Sequence, residues 1–232
     1  MHRSAPLLLC LLSLATACRS TGEGAPRTDP LFAAYRVERF DELTGLRYTF
    51  HARLGARELA RAWEWEPRTG RVRATSPDEP FEATVYFRGA EGPPESSREL
   101  DARFINDQYW LLFPVHAARD AGARPVERGP ATSPIEGLEL RQLTVQYMGE
   151  GGYTPGDAYD LFLDADGIVR EWVYRRDGGE EPTRTARWSE PVELGPILAS
   201  LEFDGPDPAE FRVWFTDVAV RVEGEDAWRP VD

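Results

Sequence analysis

The chain has 232 residues, with 40 acidic and 27 basic side chains and a formal net charge of −13. An apolar fraction of 41% is too high for a disordered chain, and the length suits one domain, or two at most, with a sizeable core. So negative a charge disfavours nucleic acid as a partner, because phosphates would be repelled in the absence of a basic patch, and the sequence contains no such patch.

The first 17 residues have the features of a secretory signal peptide. Arg3 precedes an apolar run from Leu7 to Leu14, which as a helix would span only about 12 Å and not the roughly 30 Å of a bilayer core. The segment LATAC, which ends at Cys18, resembles the bacterial lipobox, in which the cysteine is acylated and becomes the first mature residue. The same small residues also suit an ordinary cleavage site that would leave Cys18 as a free thiol.

Three segments follow from this interpretation. Residues 1–17 are predicted to be the signal peptide, and residues 18–30 a lipidated Cys18 followed by a polar tether that could extend to about 40 Å. Residues 31–232 are predicted to form a single domain. After removal of the signal, Cys18 would be the one remaining cysteine, so an intrachain disulfide and a thiolate zinc site are excluded.

The N-terminal half of the domain changes its hydrophobic period along the chain. Residues 31–43 have helical spacing, and apolar residues then alternate in strand-like segments near 46–54, 59–65, 72–74 and 81–87. The dense run from Tyr109 to Phe113 has an ambiguous period, and it predicts a short helix through Phe104 followed by an extended segment. Residues 117–137, which contain three prolines, are predicted to form a long loop.

The C-terminal half predicts a series of strands separated by turns rich in Asp and Gly. In the last strand the apolar positions change parity, and a one-residue bulge near Thr216-Asp217 would keep them on one face. No long helix separates successive strands, so the predicted fold class is α+β: one large, curved, mostly antiparallel sheet, or half-open barrel, with a few helices. The strands are predicted at 138–148, 158–164, 167–175, 182–189, 192–203 and 210–222.

Catalytic and metal-binding motifs are weak in this sequence. The segment Asp164-Ala165-Asp166-Gly167 lacks the flanking acids of a calcium loop and predicts a hairpin turn. His51 and His116 have no nucleophile elbow nearby, and solvated carboxylates such as Asp157 and Asp160 do not define a glycosidase pair. No cofactor, metal site or catalytic residue is predicted.

The aromatic residues are the most unusual feature of the sequence. Several strands are apolar on one face and partly aromatic on the other, which is consistent with a large core that leaves some rings exposed. The alternative is a sheet that encloses an apolar cavity, with the segment 100–116 as a plug. The predicted lining of that cavity is Tyr109, Trp110, Phe113, Trp172 and Trp214.

Four segments within residues 100–222 resemble a family of uncharacterised bacterial secreted proteins and lipoproteins, which implies no known reaction. At the level of fold, the alternation of a helix, an antiparallel sheet and a helical plug resembles the outer-membrane lipoprotein carriers and receptors. That resemblance implies a half-open barrel that shelters acyl chains and has no catalytic residues. The segments are YWLLFP from Tyr109, YTPGDAYD from Tyr153, EWVYRR from Glu171 and WFTDV from Trp214.

The leading interpretation is a lipoprotein of the bacterial cell envelope, anchored through Cys18 to the periplasmic face of the outer membrane, that binds or carries a lipid or another apolar ligand. Two alternatives remain open at this point. One is an assembly or structural partner in the envelope without a ligand, and the other is a hydrolase that depends on carboxylates. A non-catalytic role is favoured, with no nucleic-acid partner.

Overall fold

Antiparallel strands and one long helix make up most of this computed structural model, which describes residues 29–76, 79–89, 92–148 and 156–231. The predicted signal peptide, Cys18 and nearly all of the tether lie outside these residues. The helices are α1 (Pro30–Ala34) and α2 (Arg98–Arg119), with short 3-10 segments at Val37–Glu42, Glu95–Ser97 and Arg176–Gly178. The strands are β1 (Leu43–Leu54), β2 (Arg57–Glu66), β3 (Arg71–Ser76), β4 (Glu79–Phe87), β5 (Ala123–Thr132), β6 (Glu139–Tyr147), β7 (Ala158–Leu163), β8 (Val169–Arg175), β9 (Arg184–Trp188), β10 (Val192–Leu194), β11 (Ile197–Ala199), β12 (Glu202–Asp204), β13 (Phe211–Val222) and β14 (Arg229–Pro230).

Twelve of these strands form one sheet in the order β4-β3-β2-β1-β13-β12-β9-β8-β7-β6-β5, with β14 added beside β13, and every pairing is antiparallel. The strands β10 and β11 form a separate hairpin. The predicted α+β class with a large, mostly antiparallel sheet is therefore confirmed. The sheet is open and uncurled, which differs from the predicted half-open barrel, because α2 covers its apolar face in place of sheet closure.

The segment after residue 97 differs from its prediction, because α2 continues from Arg98 to Arg119 without an extended part. Its backbone leaves helical geometry at Leu112 (φ −118°, ψ 26°), two residues before Pro114, which lacks an N–H and kinks the helix. Residues 111–115 are all buried, so the helix has no polar face there and its period is lost from the sequence. None of the helices within the described residues is long and apolar enough to cross a membrane.

The predicted loop at 117–137 is also wrong, since its central ten residues form the edge strand β5. Pro125 and Pro130 lie within this strand, although prolines in a sequence usually disfavour a strand. An edge strand tolerates proline because only one of its sides pairs with a neighbour. The predicted helix at 31–43 is likewise divided, because Arg36 adopts a left-handed conformation (φ 53°) between α1 and the 3-10 segment.

Two local predictions in the C-terminal half are confirmed. The register between β1 and β13 shifts between the pairs Arg47–Ala219 and Thr49–Thr216, and Asp217 has a positive φ of 54°, as a bulge requires. Asp164 accepts hydrogen bonds from the backbone N–H groups of Asp166 and Ile168, which makes its segment a hairpin turn.

Two buried ion pairs attach α2 to the strands beneath it. Asp107 is fully buried and accepts two hydrogen bonds from the guanidinium of Arg61, at 2.7 and 2.5 Å, and a third from the indole N–H of Trp63 at 2.8 Å. One turn and a half earlier, the buried Asp101 lies 2.7 Å from the guanidinium of Arg88, which follows β4. These contacts fix the position of the helix along the sheet.

The N-terminal segment packs at the turn between β7 and β8. Gly167 in that turn has a φ of 82°, and a Cβ at this position would lie only 2.9 Å from the carbonyl oxygen of Pro30. Next to this contact, the hydroxyl of the buried Tyr35 accepts a hydrogen bond from the backbone N–H of Val169 at 3.3 Å. The first described residues are therefore held beside the N-terminal end of β8.

Loss of one partner of the buried pair at Asp107 should be strongly destabilising. We expect Asp107→Ala to lower the free energy of unfolding by about 3 kcal/mol, because Arg61 and the indole N–H of Trp63 lose their acceptor inside the fold. Urea denaturation followed by tryptophan fluorescence measures this loss. The control Glu99→Ala removes an exposed ion pair with Arg103 on the same helix and should cost no more than about 0.5 kcal/mol. Equal losses in the two variants would contradict the assignment.

Candidate functional site

A cavity of about 370 Å³ lies between α2 and the strands β7 and β8. This volume falls at the lower end of the roughly 300–1,000 Å³ that is usual for small-molecule sites. Most of its wall is aromatic or aliphatic. The lining residues are Ala102, Ile105, Asn106, Tyr109, Trp110, Phe113, Tyr159, Trp172, Tyr174 and Arg176.

The helical wall of the cavity is one face of α2. Its lining residues recur at intervals of three and four positions, from Ala102 to Phe113, and such intervals place side chains along one side of a helix. Trp110 and Phe113 project from this face towards the sheet. The ring of Trp110 lies edge-on to Trp172, with 4.6 Å between the centroids, and Phe113 lies 4.9 Å from Tyr159.

The sheet wall is a group of three rings from β7 and β8. Tyr159 pairs directly with Tyr174 across the two strands and lies diagonally from Trp172. Tyr159 stacks on both, at centroid distances of 5.2 Å in each case. Since these rings pack on one another as well as on the helix, their positions are set before any ligand enters.

Arg176 and Tyr174 supply the charged and polar atoms at one end of the cavity. The hydroxyl of Tyr174 donates a hydrogen bond to Asp157 Oδ2 at 2.9 Å, and the guanidinium of Arg176 is close enough to affect the pKa of this phenol. Burial raises the pKa of Tyr174, so the phenol stays protonated at neutral pH. Among the described residues, no Asp or Glu side chain lines the cavity.

Four of the five predicted lining residues meet in this cavity, and Trp214 does not. Trp214 lies on the opposite face of the sheet, where it stacks on His51 at a centroid distance of 4.9 Å. Its neighbours Val213 and Phe215 point into the core, so the alternation of β13 turns Trp214 outward. That Tyr109, Trp110, Phe113 and Trp172 bind a ligand stays a prediction.

Sequence reasoning missed the rest of the lining. Tyr159 and Tyr174 share the parity of the inward-facing residues of their strands, and a register for β7 and β8 would have placed both beside Trp172. Ile105 and Asn106 were missed because the sequence predicted an extended segment after Phe104, whereas α2 continues through them and places them on the same face as Ala102. Arg176 follows the end of β8 and carried no signal beyond its charge.

The carboxylates that a hydrolase would need are engaged in structural contacts. Asp157 accepts from Tyr174 and from the backbone N–H of Asp177. Asp160 accepts from Thr144 and from the guanidinium of Arg175, on the strand face opposite to Tyr159. Neither acid faces a second carboxylate across the cavity, as paired-carboxylate catalysis requires.

His51 has a hydroxyl partner but lacks the arrangement of a catalytic triad. Its Nε2 lies 2.9 Å from Thr216 Oγ1, and that hydroxyl donates to Asp217 Oδ2 at 3.0 Å. In a triad the acid would instead orient the imidazole through its other nitrogen. Asp217 accepts in addition from Thr49, so this group ties the bulge of β13 to β1. Within the described residues, no group of three or more His, Cys, Asp and Glu side chains is placed to hold a metal ion.

His116 lies behind the cavity and stacks on Tyr109, with centroids 4.1 Å apart and rings almost parallel. The residue as a whole is half-buried, but its Nε2 is enclosed and has no hydrogen-bond partner among the described residues. Burial, with a smaller effect of the Arg88 charge, lowers the pKa of His116 to about 3. The ring is therefore neutral in the folded protein over the physiological range.

No protein-family model and no curated protein matches the sequence. Solved structures give the fold-level similarity to outer-membrane lipoprotein carrier proteins that the order of elements predicted. A LolA superfamily protein from Nitrosomonas europaea has a TM-score of 0.49 at 7% identity, over 82% of this chain and 92% of the other. A DUF1329 family protein from Desulfovibrio piger has a TM-score of 0.48 at 12% identity, over 86% and 96% of the two chains.

A third similar structure is an outer membrane lipoprotein-sorting protein domain from Vibrio parahaemolyticus. Its TM-score is 0.42 at 7% identity, and the match covers 78% of this chain and 87% of that one. Scores below 0.5 at such low identity concern the general course of the chain. They leave the function to be decided by the cavity itself.

The buried imidazole should make stability depend on acid. Because the folded-state pKa of His116 is lower than the unfolded value of about 6.5, protonation favours the unfolded chain. Above pH 6.5, protonation of His116 should not affect the free energy of unfolding. As the pH decreases from 6.5 towards 3, that free energy should fall by up to about 1.4 kcal/mol per pH unit. His116→Phe keeps a ring against Tyr109 but cannot take up a proton.

Urea denaturation of wild type and His116→Phe at a series of pH values isolates this contribution. The difference between the two free energies of unfolding should be constant above pH 6.5 and should grow in favour of the variant below it. Parallel curves down to pH 4 would show that His116 does not titrate in this way.

Proposed function

We propose that this chain is a non-catalytic binding or carrier protein for a lipid or another apolar ligand. The observation that carries the proposal is the cavity between α2 and β7–β8, with its wall of tryptophan, tyrosine and phenylalanine rings. Removal of an apolar chain from water into such a wall contributes about 25 cal/mol per Å². The carboxylates discussed above are bound to structural donors, which leaves the hydrolase alternative without a supporting arrangement.

The rings that form the wall are well placed to receive a ligand without rearrangement. Trp172 and Tyr159 are each about 95% buried, at 5% and 6% exposure, and Phe113 is 1% exposed, so their positions are fixed by packing. Tyr109 and Trp110, on the helical wall, are half-buried. Because packing already fixes most of these rings, few side chains would have to become ordered when a ligand binds, which reduces the conformational cost of binding.

The cell-envelope setting is the second part of the proposal, and it depends on Cys18. Acylation of Cys18 would add two or more chains at about 0.8 kcal/mol per buried methylene, which anchors a protein stably. We place the protein in the periplasm, tethered to the outer membrane by residues 18–30.

An assembly or structural partner without a small-molecule ligand is the second candidate. One observation favours it: β4 is an unpaired edge of the sheet within the described residues, and it exposes Val85 and Phe87 at 46% and 57%. Exposed apolar side chains on an open edge are typical of sites where another chain adds a strand. The two candidates differ in whether the cavity takes up an apolar probe.

A bulky side chain in the cavity should block ligand entry. We expect N-phenyl-1-naphthylamine, a neutral fluorescent probe, to bind the wild type saturably at one site. Ala102→Trp should weaken this binding about tenfold or more, or ~1.4 kcal/mol, because Ala102 lines the cavity and the new ring would fill it. Fluorescence titration at constant protein concentration gives both dissociation constants.

Two control variants test the position of the site. Arg103→Trp adds the same ring to the next residue of α2, which does not line the cavity, and Trp214→Ala removes a ring from the opposite face. Both should bind the probe within about twofold of the wild type, and thermal denaturation should show that all three variants are folded. Absence of saturable binding to the wild type would favour the assembly candidate.

Anchoring is tested separately in cells. In a bacterial host, labelled palmitate should enter the wild type but not Cys18→Ala, because the thiol is the acceptor of the lipid in a lipobox. The wild type should fractionate with membranes and the variant with the soluble periplasm. Labelling of both proteins to the same extent would show that Cys18 is not the modified residue.

A further inference from the structure

We propose that the ligand of the cavity carries an anionic head group, a carboxylate or a phosphate, which Arg176 and Arg184 bind at the cavity rim while the apolar tail lies among the aromatic rings. This inference rests on the proposed function and adds to it the chemical class of the ligand. The observations that support it are the placement and the pairing of the two guanidinium groups.

Arg176 lines the cavity, and its guanidinium has N–H donors available for a ligand. Its side chain is exposed, and within the described residues it forms no ion pair with an Asp or Glu. A guanidinium has five N–H donors, so the interaction with the Tyr174 hydroxyl leaves most of them available to a ligand. Asp157 and Asp177 act on Arg176 through space, but both oxygens of Asp157 already accept bonds, from the hydroxyl of Tyr174 and from the N–H of Asp177.

Arg184 lies beside the same rim on the next strand. It is the direct partner of Tyr174 in the pairing of β8 with β9, so both side chains project from the same face of the sheet. Its guanidinium carbon lies 4.1 Å from the centroid of Phe211, and that ring lies 5.7 Å from the ring of Trp110 in the cavity wall. Tyr174 is therefore flanked by two arginines.

Arg184 also lacks a carboxylate partner among the described residues, although it is partly buried. Burial lowers its pKa, which means that the cation is less well solvated than it would be in water. A bound anion would offset this cost, and it would form charge-assisted hydrogen bonds with both guanidinium groups.

Three other arginines on or beside these strands do have carboxylate partners. Arg175 pairs with Asp160 at 2.9 Å, Arg187 pairs with Glu136 at 2.8 Å, and Arg170 pairs with Asp164 at 2.6 Å. In a chain with 40 acidic and 27 basic residues, partners for arginine are abundant. Two arginines without such partners on either side of a tyrosine at an apolar cavity form a site complementary to an anionic amphiphile.

The test compares ligands that share a tail and differ in the head group. Decanoate, decyl phosphate and decanol, each below its micellar concentration, displace N-phenyl-1-naphthylamine from the wild type, from Arg176→Gln, from Arg184→Gln and from the double variant. Arg53→Gln serves as the matched control, because it removes one positive charge from the opposite face, where Arg53 lies near Trp214 and pairs with Glu58.

We expect the wild type and Arg53→Gln to bind at least one of the two anions about tenfold or more tightly than decanol. Each single variant should reduce this ratio, and the double variant should bring it close to one. The stronger of the two anions identifies the head group as carboxylate or phosphate. Added salt should weaken anion binding to the wild type and leave decanol binding unchanged.

The experiment distinguishes failure of the head-group assignment from failure of the proposed function. If the probe and decanol bind but the wild type shows no preference for either anion, or the preference survives in the double variant, the head-group assignment is wrong and the apolar cavity stands. If neither the probe nor any of the three amphiphiles binds the wild type, the proposed function is wrong as well.

Discussion

The position of α2 over the sheet is the constraint on which the rest of the structure depends. A helix of 22 residues covers the apolar face of an open sheet, and two buried acids, Asp101 and Asp107, bind arginines that follow or belong to the strands beneath it. Burial raises the pKa of Asp107 against the opposite effect of its bonds to Arg61 and Trp63. The pair therefore specifies where the helix lies more than it adds net stability.

With the helix fixed in this way, the aromatic residues determine how closely it approaches the strands. In the N-terminal half of the helix, Phe104 packs edge-on against Trp63 and Trp65. Further along, Trp110 and Phe113 meet a layer of rings on β7 and β8. Rings meet edge-on at centroid separations of about 4.5–7 Å, so large planar groups from both sides keep the helix off the sheet and leave a gap between them.

Much of the fold could be predicted from the sequence, since period-two alternation is a local signal. The turn at Asp164 and the bulge at Asp217 were predicted from parity and turn chemistry alone. The wrong predictions have a common cause, because a local sequence pattern does not show what surrounds the segment in the fold. Residues 111–115 are buried on all sides, so their helix shows no period, and Pro125 argues against a strand unless that strand lies at an edge.

The site was predicted in part for the same reason. Residues Tyr109 to Phe113 and Trp172 stood out as aromatic, but their meeting depends on a register between helix and sheet that local patterns do not contain. Trp214 was misplaced because the apolar residues on either side of it are the inward ones. Arg176 and Arg184 were invisible, because an arginine without a partner can be recognised only when the positions of the acids around it are known.

The contact between Gly167 and Pro30 has a consequence for orientation. It holds the first described residues where β8 begins, whereas Tyr174 and Arg176 lie where β8 ends, about 17 Å further along the strand. A chain that continues from Cys18 would thus enter the fold beside one end of β8, and Tyr174 and Arg176 line the cavity at the other end. The polar end of the cavity and the point at which the chain enters the fold therefore lie a strand's length apart.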